Sequence, residues 1–568
     1  MKKSVTEYML LTILVLAGLC IIYKVWMFDV VNTPLSYTQD GIGTLVGEKV
    51  IIEEGGWGTV CSRLGAPYGQ NANDYTTATI LPILLMKLGA FLTDNWVWGL
   101  NLGYFVGYFI TAWISYYFLK KFKISWIYAI ALSVLYTFLP YHMLRGTEHF
   151  ALALYALVPA AIYYVIIFMG TECEEWDERG KYIEFFVWMV LIGLSGIYYS
   201  FFSCFLFCVA ILYNLVPKNS KKNIYRCFLG ILGIIAGVLS ASIPNFVYVL
   251  QNGKNAETVY RLSSEVAVYA LRISQLILPI TGHRIPVLAK IKDKYNAAFT
   301  VNENDSSSLG IIFTIGFIIL CVILVMDYKN SKRNQVLKKL AILNICMTLY
   351  ASVGGFIEMQ AIVFKLIRCS NRISVFIAFV CCIAMGYVID GISEWMRLEQ
   401  KKWKMFMVCF LIIGIGVLDQ TKVSYVDDEQ ILAQMKDEKE FIQKIEALEK
   451  ENTMIFQLPN VVYPEQGMKE RMSDYSHFIG YLYSDTLKWS YGAMKGREGS
   501  KLLEEISSKD TAEMISNMKE VGFGGIYIDR WGYKEGEIKC LEKEIVKEIG
   551  APSIEDRTGR YVYYSFGN

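Results

Sequence analysis

Charge is what this 568-residue chain has little of: 19% of its residues are Asp, Glu, Lys or Arg, against 54% hydrophobic. Soluble domains carry about 25% charge, so the shortage excludes an ordinary soluble enzyme and indicates a polytopic membrane protein. The net charge of +2, without any basic stripe, excludes a nucleic-acid surface. The 13 cysteines show no metal-ligand spacing. Most, Cys381 and Cys382 among them, fall in apolar runs where cysteine behaves as a small hydrophobe; Cys61 and Cys540 are exceptions whose pairing nothing in the sequence indicates. A glycine-rich phosphate loop, a serine elbow, a solenoid repeat and a low-complexity tract are also absent.

What is present is a succession of apolar runs. A helix crosses the hydrocarbon core with roughly 20 apolar residues. Eleven segments qualify as spans: 9–28, 97–119, 126–139, 152–169, 182–195, 199–215, 224–249, 309–326, 340–356, 373–389 and 405–418. No small-residue cleavage site follows the first, where Tyr23, Lys24 and Trp26 stand, so it reads as a retained anchor. The apolar stretch 78–92 is interrupted by Lys87 and is expected to be a helix lying along the interface or half in the membrane. The run 182–215 is too long for one crossing, and a break at Ser195-Gly196 divides it.

If these spans alternate, Lys2/Lys3, Lys120/Lys121/Lys123, Lys218/Lys221/Lys222, Lys329/Lys332/Arg333/Lys338/Lys339 and Arg397/Lys401/Lys402/Lys404 share one side. The positive-inside rule makes that side cytoplasmic, and it tolerates the acidic loop 172–181 there. The N-terminus is then cytoplasmic. A membrane domain, 1–420, presents outer loops 29–96, 140–150, 250–308 and 357–372, which with the tail hold all four histidines (His142, His149, His283, His477). The tail, 421–568, reads as a small extracytoplasmic α/β domain: an amphipathic helix pair over 427–451, strands at 454–458, 525–528 and 561–565, and helices at 501–506 and 512–521. Gly522 to Gly525 reads as a helix-ending turn into a strand rather than a nucleotide loop.

The chemistry is expected in the outer loops. Asp40, in the loop after the first span, is a candidate general base, although an Asp before glycine is also a common turn residue. In 57–75, Asn71, Asn73 and Asp74 match sugar hydroxyls and Trp57 and Tyr68 offer stacking faces; an irregular capping loop would look similar. Arg145 can clamp a phosphate, and Glu148 and His149 can orient a hydroxyl or coordinate a divalent cation, the one cofactor the sequence leaves open. Arg368 and Arg372 stand where positive charge is disfavoured; a lipid phosphate, or ion pairing with Glu358 or the tail, accounts for them. His283-Arg284 is a weaker candidate, and Tyr198-Tyr199 reads as interfacial aromatic belt.

With many spans, a long first outer loop bearing Asp40, an interfacial helix before the second span and an outward C-terminal domain, the chain resembles the GT-C superfamily of membrane glycosyltransferases. Residues 37–41, 64–75 and 145–150 also look like a bacterial branch of YfhO-like or related polysaccharide-assembly membrane proteins. A doubled acidic motif of some branches is absent, since Gln39 and Gly41 flank Asp40. The resemblance implies inverting transfer of a sugar from a polyprenyl-phosphate-linked donor to a lipid-linked or polymeric glycan acceptor during cell-envelope modification. Asp40 would be the base, and Arg145, Arg368 or Arg372 would hold the leaving phosphate. A flippase for lipid-linked sugars should show inverted repeats and mid-membrane charges, neither of which is visible; an envelope-assembly scaffold would make Asp40 dispensable.

Overall fold

The computed structural model describes residues 2–75, 79–170, 179–215, 221–257, 261–299, 302–326, 331–400, 402–423 and 428–567. Most of the acidic loop 172–181, and Lys218, Lys329 and Lys401 of the basic clusters, lie outside them. The chain is a multi-pass helical bundle with a C-terminal extramembrane domain built on a five-stranded sheet. Among the described residues seven helices are long and apolar enough to cross a membrane, and Ile80–Leu92, Val158–Phe168 and Gly310–Val325 are shorter apolar helices.

The expected break in 182–215 is where the structure has it. Arg179–Leu194 ends, Gly196 adopts φ +133°, and Ile197–Leu215 begins. The segment 224–249 is not one helix: Lys221–Ala241 stops, and Ile243–Asn252 restarts with Pro244 in its first turn, where a missing N–H costs nothing. The segment 152–169 holds the 11-residue helix Val158–Phe168, which Pro159 starts.

Two expectations about the first loop and tail are corrected. Asp40 is not in a loop; it lies in the first turn of helix Gln39–Glu54. Ile42, Leu45, Val46, Val50 and Ile51 give that helix a buried stripe at helical spacing, which Gly41, Gly43 and Gly47 disguise in the sequence. The expected helix pair is a single helix, Asp428–Leu448, which contains neither glycine nor proline to divide it. Helix Ile80–Leu92 crosses Trp96–Lys121 so closely that a Cβ at Gly89 would fall 2.2 Å from the Gly99 carbonyl oxygen.

In the sheet, Met454–Leu458 pairs in parallel with both Lys488–Trp489 and Phe523–Asp529; Tyr561–Ser565 and then Ile554–Glu555 continue it antiparallel. Gly522, at φ +100°, closes helix Thr511–Val521 and turns the chain into its strand. Alternation gives the sheet two apolar faces. Phe456, Leu458, Ile526 and Ile528 pack with Met514, Met518 and Ile545 in the domain's own core. Ile455, Trp489, Tyr527 and Tyr561 face Phe441, Ile442 and Ile445 and join the core that continues into the bundle. Tyr37 extends that junction, donating to Glu438 at 2.6 Å. Cys61 and Cys540 are both free.

Candidate functional site

Where the sheet domain meets the bundle end, a cavity of about 530 Å³ opens. Its lining brings together Asp40, Glu148, His149, Arg368 and Arg372, five residues drawn from three separate stretches of the sequence. Helix Gln39–Glu54 supplies Asp40; the turn after helix Pro140–Arg145 supplies Glu148 and His149. Arg368 precedes the 3₁₀ turn Ser370–Ile373 and Arg372 lies within it, and the break at Ser195-Gly196 forms part of the wall.

Asp40 is half-exposed, with its Oδ2 3.5 Å from His149 Nδ1. Burial, then the charges of Glu148, Asp474, Glu465 and Glu303, push its carboxyl up to about 6. His149 is pushed down to about 4 by burial and by Arg145, so its ring is neutral at neutral pH. Glu148 is fixed by Ser36 and Thr38, whose hydroxyls donate to Oε1 at 2.6 and 2.5 Å.

Each arginine at the cavity has a carboxylate partner. Arg368 meets Glu265 at 2.6 Å, and Arg372 meets Glu303 at 3.3 Å while stacking over the Tyr198 ring at 4.2 Å. Arg261, which the sequence reading missed, holds Glu465 of the tail domain at 2.7 Å. Arg145 does not line the cavity; it is buried behind Glu303, 2.9 Å away. Burial opposes the Glu303 charge, but Arg145 and Arg372 overcome it and hold the carboxyl down to about 2. Among the described residues no three His, Cys, Asp or Glu side chains gather as a group that could hold a metal ion.

The remaining candidates lie elsewhere. Trp57 is exposed with Lys87 over its ring at 4.6 Å, and exposed Tyr68 packs beside Gly499 and Lys501. Asn71 caps the 3₁₀ turn Ala72–Asp74 by accepting from the Asn73 amide, and the Asn73 carbonyl accepts from Asn245. Asp74 is buried against Arg497 at 2.7 Å, joining the first loop to the tail domain. Small polar residues satisfied these structural bonds, and only Tyr75 of that string reaches the cavity. Arg284 ties down the carbonyls of Thr421 and Lys422, and His283 faces Asp419. His142 is buried in the bundle, stacked 3.7 Å from Tyr108.

Tyr198 and Tyr199 line the cavity rather than a lipid belt. Arg261 carried the same signal as Arg368, a basic residue in a loop expected on the outer side; Glu303, Glu465 and Tyr475 carried none, being ordinary residues in polar stretches. Two other hollows have different character. One of about 580 Å³ sets Lys49, Lys436 and Lys439 against Glu53, Asp94 and Asp485; another of about 620 Å³, between Leu10, Trp126, Phe406 and Phe410, is an apolar flank of the bundle.

No family profile matches the chain, and no curated protein does. Solved structures do. ArnT from Cupriavidus metallidurans bound to undecaprenyl phosphate superposes with a TM-score of 0.54 at 8% identity, over 98% of this chain and 97% of that one. The chain shares the fold of that structure. Two further structures align more loosely. Arabinofuranosyltransferase AftD from Mycobacteria gives a TM-score of 0.49 at 12% identity, over 98% of this chain and 40% of its own length. The Archaeoglobus fulgidus oligosaccharyltransferase AglB, in complex with an inhibitory peptide and a dolichol-phosphate, gives 0.46 at 12%, over 99% and 74%. Identities this low speak to fold alone and leave the chemistry to this chain's own residues.

Proposed function

We propose that the cavity transfers a sugar from a polyprenyl-phosphate-linked donor to a glycan acceptor at the extracytoplasmic membrane surface, with inversion. One observation carries this reading: a carboxylate with an affinity for protons near neutrality shares one cavity with three guanidinium groups. The acceptor hydroxyl attacks the anomeric carbon as its proton passes to Asp40. The bond from that carbon to the phosphate oxygen breaks, and the electron pair stays on the phosphate. Arg261, Arg368 and Arg372 stabilise the charge that grows there. Arg145 acts from behind, since Glu303 between it and Arg372 fixes that guanidinium.

We take this cavity to lie at the outer leaflet, where a lipid phosphate resides, because the basic loops favour a cytoplasmic N-terminus. A flippase needs a route through the bundle, whereas His142, Tyr104, Tyr108 and Tyr155 fill the interior with buried, mutually packed rings. The test is release of polyprenyl phosphate, coupled to glycan growth, by purified protein in lipid nanodiscs supplied with a polyprenyl-phosphate sugar and lipid-linked glycan. Wild-type protein that binds such donors yet never releases the phosphate across a panel of sugars and acceptors would exclude the enzymatic reading.

A further inference from the structure

Residues 459–478 leave the sheet after Met454–Leu458 and arch over the cavity before helix Ile479–Tyr483. Tyr463, Glu465, Tyr475 and Phe478 of this strap line its wall. The strap's backbone is held in unusual conformations: Glu465, Glu470 and Tyr475 adopt φ of +60°, +50° and +64°, a region that side-chain-bearing residues enter only when their surroundings hold them there. Near its root the strap is packed, with the Tyr475 and Phe478 rings parallel at 5.9 Å. Across the cavity its fastening is ionic. Arg261 donates to Glu465 through both terminal nitrogens, at 2.7 and 2.9 Å, and Tyr75 donates to the same carboxylate at 2.5 Å.

A two-pronged carboxylate on an arginine has the geometry of a phosphate on that arginine. Arg368 lies close enough for its charge to act on Glu465 and for Arg261 to act on Arg368 in turn. Glu465 therefore fills the Arg261 fork within the cavity that Arg368 also lines. Among the lining residues it is also the one charged group contributed by the tail domain.

We infer that Arg261 is a ligand of the donor phosphate and that Glu465 is its exchangeable counter-ion, so that phosphate arriving at Arg261 unlatches the strap 463–475. This rests on the donor reading above and adds an order to it. With the strap latched, the acceptor side of the cavity is roofed; donor phosphate displaces Glu465, the left-handed residues relax, and the acceptor gains entry. Acceptor binding then follows donor binding.

The test uses the full chain in nanodiscs with farnesyl phosphate as probe, reading affinity and amide hydrogen exchange over 463–475. Wild-type protein should bind the probe and exchange faster in the strap when bound. Glu465→Gln should exchange fast without probe and bind it several-fold tighter, because no carboxylate competes. Arg261→Lys, which keeps charge but loses the fork, should bind roughly tenfold more weakly. Probe binding with unchanged or slower strap exchange, together with unaltered affinity in Glu465→Gln, would overturn the latch while leaving sugar transfer standing. A wild-type protein that binds neither farnesyl phosphate nor a longer polyprenyl phosphate would overturn both.

Discussion

His149 Nδ1 stands 3.5 Å from Asp40 Oδ2, and the imidazole there is neutral at neutral pH. The contact is longer than a good hydrogen bond, and the neutral ring offers no positive charge to offset the carboxylate. Asp40 therefore keeps both its charge above about pH 6 and a free lone pair facing the cavity.

Asp40→Asn preserves shape and removes the base, so turnover should fall about 10²- to 10⁴-fold with donor affinity little changed. In wild-type protein kcat/KM should rise with pH and level off above about 6, as Asp40 loses its proton. Rates of sugar transfer between pH 5 and 8 check both points; a mutant at near wild-type rate would remove Asp40 from the chemistry.

Glu303 lies between two guanidinium groups with side chains 3% and 12% exposed. Glu303→Gln leaves both without a counter-charge, and breaking such buried pairs costs about 3–5 kcal/mol. Its Tm in nanodiscs should drop clearly below that of Arg368→Ala, whose partner is more accessible. Equal values would assign Glu303 no structural part.

Asp74 is bonded to Arg497 through both oxygens, at 2.7 Å each. Asp74→Ala and Arg497→Ala should loosen the tail domain, seen as faster proteolysis near residues 496–505, without altering donor affinity. A selective loss of sugar binding in Asp74→Ala would restore Asp74 to the site.

Glu48, on the helix of Asp40, is fully buried and neither of its oxygens has a hydrogen-bond partner. Burial pushes its carboxyl up to about 8. The folded state holds this proton after the unfolded chain has released it, so the stabilising contribution is complete below about pH 4.5 and is lost as pH rises through about 8. Wild-type Tm should decline over that window more steeply than that of Glu48→Gln; parallel curves would contradict the assignment.

Cys540 is a built-in topology probe, being exposed on helix Glu535–Ile549. An impermeant thiol reagent on intact cells should label wild-type protein, fail with Cys540→Ser, and fail at Lys221→Cys in that background. Labelling at position 221 with Cys540 protected would reverse the proposed orientation.

Local signals carried the sequence as far as a helical membrane bundle with a tail of alternating strands and helices. Apolar run length, the break at Gly196 and the glycine after helix Thr511–Val521 are properties of neighbouring residues, so they were legible. The helix beneath Asp40 had a readable apolar stripe, but three glycines lowered its propensity and tertiary packing overrode them. Arg368 and Arg372 were likewise legible as basic residues in a loop that the positive-inside rule assigns to the outer side, where such charge is disfavoured. What the sequence by itself determined, then, was what each segment must do with its own hydrophobicity and backbone. Which charges meet was decided only by the fold. Arg261 and Glu465 are 204 residues apart, and Asp74 and Arg497 423 apart, so no local pattern distinguishes the pair that lines the cavity from the pair that fastens the tail domain. Tertiary structure drew that distinction because an ion pair depends on a few ångströms of separation and on burial, and both are fixed only when the bundle and the sheet close on each other.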